Sequence, residues 1–194
     1  MIHEPDGLWT ISGPSGSGKS TLIAGLRKVF PHARKFKSVC TRQMRNGETS
    51  ENSEYDFISL ARFQSLSQQQ SLLWDKEVHG NRYGAPYKVV HEALADGKFV
   101  IADIAYYTSE ILMRYAETID KAHRVHCIYL DITDEIELRR RLAERNEADL
   151  ERRIMECRPW SSGVRGSFLP FKIIDARMPV RAVYEEGLKY LCNS

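Results

Sequence analysis

The residues Gly13-Pro14-Ser15-Gly16-Ser17-Gly18-Lys19-Ser20 fit the pattern G-x-x-x-x-G-K-[ST] at every fixed position. Such a loop turns its backbone N–H groups onto phosphate oxygens, and glycine is favoured wherever a side chain would intrude. In this pattern the lysine reaches the β and γ phosphates, and the hydroxyl after it is a Mg²⁺ ligand. Composition alone would produce such a match in roughly 1% of chains this long, so chance is a poor account of it. The expected contacts to the triphosphate of a nucleotide, ATP, are Gly13, Ser15, Gly16, Ser17, Gly18, Lys19, Ser20 and Thr21. Asp103 closes the apolar run Phe99–Ala102, the place of the acid that holds Mg²⁺ or its water. Ser20 and Asp103 are therefore the expected metal residues.

A second set of residues suits another phosphate. Arg42 and Arg45 lie three apart in the polar loop Ser38–Glu48, with Tyr55 and Tyr83 downstream. A guanidinium fork matches phosphate oxygens, and tyrosine hydroxyls add donors, so a phosphate monoester fits here. A solvated basic loop would have the same composition.

These residues need a frame. Leu8–Ser12 reads as a buried strand, and Leu22, Ile23, Leu26 and Val29 recur at helical spacing from Lys19 to about Phe30, where Pro31 stops the helix. The helix start adds its positive end to the glycine-rich turn. Further strands are expected at Phe36–Cys40, Phe57–Leu60, Leu72–Val78, Phe99–Asp103, Val125–Leu130 and Phe171–Ile174. Helices are expected at Leu60–Gln69, Pro86–Leu94, Ser109–Ile119, Asp134–Glu144, Asp149–Cys157 and Val180–Leu191, with a turn at Gly80-Asn81. Continuously apolar strands alternating with helices predict an α/β fold, a parallel sheet covered on both faces. The stretch from about Phe36 to Tyr87 breaks the alternation and reads as an inserted substrate-binding lobe.

From Leu8 to Leu191 the chain resembles the guanylate kinase family. The glycine-rich loop is common to a whole superfamily. The more specific residues are Ser38-x-x-Thr41-Arg42-x-x-Arg45-x-Gly47-Glu48, then Tyr55-x-Phe57, then Gly80-Asn81-x-Tyr83-Gly84. The resemblance implies a P-loop NTPase fold in a single domain: a core of 1–35 and 88–194, a monophosphate-binding lobe of 36–87, and an arginine-rich lid at about 141–156 that closes over ATP. It implies that Arg42, Arg45, Tyr55 and Tyr83 bind the acceptor phosphate. Within the family pattern R-L-x-x-R, Arg141 and Arg145 are the lid's phosphate-contacting pair, with Arg153 as a third. Together with Lys19 these would carry catalysis by neutralising the transferring phosphoryl group. Arg139 and Arg140 are expected to pair with nearby glutamates on the surface.

The base-reading positions depart from the family. Ser38 is kept. Trp74 stands where a glutamate is expected, Ala85 where a hydroxyl is expected, and Ala105 where a second aspartate is expected. Tryptophan is only a donor and cannot accept from guanine's N1–H and amino group. Leaving those donors unpaired costs about 1–3 kcal/mol each. A register shift would bring Asp75 or Glu77 into the glutamate's place. Otherwise Trp74 stacks on a different base, walls off a smaller pocket, or simply packs in the core. The expected activity is transfer of the γ-phosphate of ATP onto a phosphate monoester, a GMP-like nucleoside monophosphate by default. The alternative acceptor is a phosphorylated sugar such as ribose 1,5-bisphosphate, and the alternative of another class is a non-catalytic interaction module.

The whole chain sets bounds. It has 194 residues, 42% hydrophobic and 28% charged, with a net charge of +2, too small to argue for nucleic acid. No apolar run is of bilayer length, the start Met1–Gly7 lacks the features of a secretory signal, and Cys40, Cys127, Cys157 and Cys192 are scattered. The expectation is a cytoplasmic monomer or homodimer whose partner is a phosphorylated small molecule, with no membrane or nucleic-acid partner.

Overall fold

The central strand, β1 (Gly7–Ser12), is buried along its whole length. Such a strand needs a partner on each side and a cover on each face. In the computed structural model, which describes residues 5–44, 47–78, 80–95, 97–144 and 150–193, it has all four. β7 (Phe99–Asp103) and β8 (Val125–Asp131) flank it in parallel, and β2 (Arg34–Lys35) and β9 (Lys172–Asp175) complete a five-stranded parallel sheet in the order β2-β7-β1-β8-β9. Alternate β1 side chains enter different cores. Trp9 and Ile11 pack with Leu22 and Leu26 of α1 (Lys19–Val29) and Val183 of α8 (Val180–Cys192). Leu8 packs on the other face with Val90 of α3 (Tyr87–Ala93) and Leu112 of α4 (Tyr106–Thr118). The expected α/β architecture with a covered parallel sheet is observed.

A second sheet has the order β4-β3-β6-β5, from β3 (Ser38–Cys40), β4 (Tyr55–Phe57), β5 (Leu72–Val78) and β6 (Asn81–Pro86), with α2 (Leu60–Gln68) between β4 and β5. Stacking of Phe36 on Trp74, centroids 6.0 Å apart, joins it to the core. After β8 come α5 (Glu135–Ala143), α6 (Leu150–Cys157) and α7 (Trp160–Arg165). Leu138, Leu142 and Ile154 tie the first two of these to the core.

Several expectations need correction. The strand expected at Phe57–Leu60 is β4 at Tyr55–Phe57, because Ser59 caps α2, its hydroxyl accepting from the Arg62 N–H. The turn at Gly80-Asn81 leads at once into a strand, β6, that the sequence did not announce. α4 begins at Tyr106, one turn before the expected start at Ser109. β2 and α7 were not expected at all. Among the described residues no helix is long and apolar enough to cross a membrane.

Candidate active site

β1 and β7 lie side by side in parallel, with Ile11 paired to Asp103, so their carboxyl ends deliver the glycine-rich loop and Asp103 to one place. Backbone conformation explains the glycines. Gly18 caps α1 at φ 97°, a left-handed conformation that disfavours side chains. A Cβ on Gly13 would stand 2.6 Å from Ser17 Oγ and 2.8 Å from the Leu130 carbonyl. Lys19 Nζ donates to the carbonyls of Gly13 and Pro14 at 2.9 and 3.1 Å and lies 4.0 Å from Asp103. Burial pushes the Asp103 carboxyl above its usual range, and the Lys19 charge partly restores it.

The loop passes two tests for a polyphosphate. Ser17 Oγ is buried with no hydrogen-bond partner. The first turn of α1 carries no acidic side chain, so its positive end is not neutralised from within. Ser20, exposed, lines the same cleft as Asp103, and a hydroxyl and a carboxylate are hard oxygen donors of the kind that suits Mg²⁺.

That cleft, about 740 Å³, runs from the glycine-rich loop to the four-stranded sheet. Ser38, Arg42, Tyr55, Trp74, Tyr83 and Asp103 all line it. Ser38 pairs with Tyr55 across β3 and β4, and the Tyr55 and Tyr83 rings meet edge to face at 5.5 Å. Burial raises the Tyr55 hydroxyl's pKa, which keeps it a proton donor. Arg42 lies over Tyr55 and Phe57 at 5.2 and 4.9 Å, and both its terminal nitrogens donate to Glu48, at 2.6 and 2.7 Å. Ser53 Oγ holds the same carboxylate at 2.8 Å. Arg45 lies outside the described residues.

The arginine-rich segment divides. Arg153 faces the cleft, and its Nη1 donates to Ser15 Oγ at 3.2 Å. Arg141 does not line the main cleft. Its Nε donates to Glu137 at 2.6 Å, and it borders a smaller cavity beside Gly18, Thr21 and Tyr184. Arg139 pairs with Glu135 and Glu151, and Arg140 with Glu137 and Glu144, as expected of surface pairs. Arg145 lies outside the described residues.

Trp74 is 7% exposed and sits directly opposite Ala85 in the β5–β6 ladder. Trp74, Lys76 and Val78 share the face of β5 that lines the cleft. Asp75 and Glu77 alternate onto the other face, and Asp75 is held there by Arg82 and Ser67. The register shift that would bring a carboxylate to the cleft has not occurred. Sequence reasoning passed over Lys76, Glu54 and Tyr107, which also line the cleft. The alternation counted from Trp74 was the available signal for Lys76.

Residues 8–161 match the protein-family model described as guanylate kinase. A guanylate kinase of Thermobifida fusca is 43% identical over 101 residues, 52% of this chain and 51% of the relative. One from Helicobacter hepaticus is 35% identical over 142 residues, 73% of this chain and 68% of the relative. In the first of these matches, as in that to a Geobacter metallireducens guanylate kinase (47% of the relative), the chain spans about half the length of the curated relative. Among solved structures, guanylate kinase from Anaplasma phagocytophilum superimposes with a TM-score of 0.66 at 19% identity, over 98% of this chain and 86% of that one. A gluconokinase from Sinorhizobium meliloti 1021 gives 0.56 at 10% identity, over 98% and 94%. Likenesses at such identities speak for the fold alone. With the family model covering most of its length, the chain belongs to the guanylate kinase family.

Proposed function

We propose that the protein is an ATP-dependent phosphotransferase that moves the γ-phosphate of ATP onto a phosphate monoester, a nucleoside monophosphate being the default acceptor. The observation that carries this reading is that one cleft is lined at one end by Lys19 and the glycine-rich loop and at the other by Arg42, Tyr55 and Tyr83. A donor phosphate and an acceptor phosphate bound at these two ends would share the one cleft. An acceptor phosphate oxygen attacks Pγ, the bond from Pγ to the β–γ bridging oxygen breaks, and ADP leaves with that electron pair. No covalent enzyme intermediate is needed, so catalysis rests on positioning and charge neutralisation. Lys19 and Arg153 supply positive charge on the donor side. Ser20 and Asp103 would hold Mg²⁺, which when bound neutralises phosphate charge. Arg141 and Arg145 are proposed lid residues, and Arg45 a further acceptor contact.

A second acceptor reading has its own support. Trp74 and Ala85 face each other where polar base-reading groups are expected, which favours a phosphorylated sugar such as ribose 1,5-bisphosphate over guanine. The test is ADP release from Mg–ATP, coupled to NADH oxidation, against GMP, dGMP, AMP, CMP, UMP, dTMP and ribose 1,5-bisphosphate. Acceptor-dependent release with one of them is expected. No release with any, together with no calorimetric binding of Mg–ATP, would move the chain to the non-catalytic class.

A further inference from the structure

The cleft's carboxylates are already matched by cations. Glu48 is paired with Arg42, Glu54 with Lys35 at 3.0 Å, Asp103 with Lys19, and Glu156 with Arg152 at 3.2 Å. Lys76 is different. It lines the same cleft, and among the described residues no carboxylate lies within ion-pair distance of its ammonium. Its contact is with a ring: Nζ stands 3.9 Å from the centroid of Tyr107, at the start of α4. The carboxylate that acts on it electrostatically is Glu110, which is turned to Ser167 and accepts its hydroxyl at 2.6 Å. Burial holds the Lys76 ammonium below its ordinary pKa, and the Glu110 charge restores it only in part.

The position gives that cation a meaning. Lys76 pairs with Tyr83 across β5 and β6, one step along the cleft-lining face from Trp74. It therefore adjoins both Tyr83, a proposed acceptor-phosphate residue, and Trp74, at the wall where a base would be read. The strand offers that wall an ammonium and an indole N–H, both donors only, while Asp75 and Glu77 face away. The donor edge of guanine finds no acceptor here. A group bearing negative charge finds a partly desolvated cation.

We propose that Lys76 is a specificity-determining residue that binds a second anionic group of the acceptor, other than the phosphate that receives the phosphoryl group, so that the preferred acceptor carries a second negative group. This rests on the phosphotransferase reading for its chemistry, but its test does not need turnover. Ribose 1,5-bisphosphate and GMP are titrated calorimetrically into the full chain with Mg²⁺ and a non-hydrolysable ATP analogue, for the wild type, Lys76→Met and Lys76→Arg. Methionine keeps the stem and the packing and removes the charge. The bisphosphate is expected to bind the wild type more tightly than GMP. Lys76→Met is expected to lower that preference about tenfold or more, the scale of one charge-assisted contact, and Lys76→Arg to restore most of it. Unchanged melting temperatures exclude misfolding as the cause. A wild type that prefers GMP, or a preference that survives Lys76→Met, overturns the proposal. If Lys76-dependent binding is found but no ADP is released, the phosphotransferase reading falls and the anion site stands.

Discussion

The pair of Glu48 and Arg42 offers a quantitative test of how the acceptor end is built. Two hydrogen bonds of 2.6 and 2.7 Å join them, and their side chains are only 16% and 12% exposed. At an effective dielectric of about 20 and a charge separation of about 4 Å the gross attraction is ~4 kcal/mol. Desolvation of the two groups offsets about half of it, leaving a coupling of about 2 kcal/mol. Replacing either partner alone leaves the other charge uncompensated, at a cost of about 2–4 kcal/mol. Near 2–4 °C per kcal/mol for a chain of this size, Glu48→Gln should melt about 4–16 °C lower. The assay is a double-mutant cycle in urea with Glu48→Gln, Arg42→Met and both together. Glutamine keeps an oxygen for Ser53 and removes the charge, so the cycle isolates the ion pair. A coupling below about 0.5 kcal/mol would refute the view that Glu48 fixes Arg42. In the ADP-release assay the same variant should raise the acceptor KM more than it lowers kcat.

Three further outcomes follow from the donor end. Lys19→Ala should lower turnover by about two orders of magnitude or more, with an unchanged circular dichroism spectrum; full activity would sink the assignment. Gly13→Ala places a methyl group 2.8 Å from the Leu130 carbonyl and should destabilise by about 2–4 kcal/mol, read as the urea midpoint. Asp103 has a folded pKa raised by burial, so the native state binds the proton more tightly than the unfolded chain and stability falls as pH rises from the ordinary carboxylate value through the raised one. Asp103→Asn should therefore melt higher at pH 7, lose this advantage below about pH 4, and turn over far more slowly; a lower melting point at pH 7 would contradict the assigned burial cost.

The donor end was legible in the sequence because its chemistry is local. Gly13 to Ser20 is one continuous turn, and the strand and helix around it carry their own periodicity. The acceptor end depends on pairing between strands, which sequence shows poorly. β6 contains Asn81, Gly84 and Pro86, all poor strand formers, and it exists because β3 and β5 bond it from both sides. α7 has no apolar repeat and is held by tertiary contacts, with Ser161 and Arg165 both bonded to Asp131 of β8. β2 is too short to leave a pattern. Trp74 was noticed as a substitution, yet that Ala85 lies opposite it and that Lys76 shares its face required the ladder's register.

Every strand of the four-stranded sheet falls between Ser38 and Pro86, an uninterrupted stretch of the chain. The glycine-rich loop, Asp103 and Arg153 all lie outside it. A single recombination event, or a laboratory graft with one entry and one exit, can therefore exchange most of the wall proposed for the acceptor while the half that carries the glycine-rich loop stays untouched. Heredity can treat the two halves of this cleft as separate units of change, which gives a lineage room to vary one wall without rebuilding the glycine-rich loop.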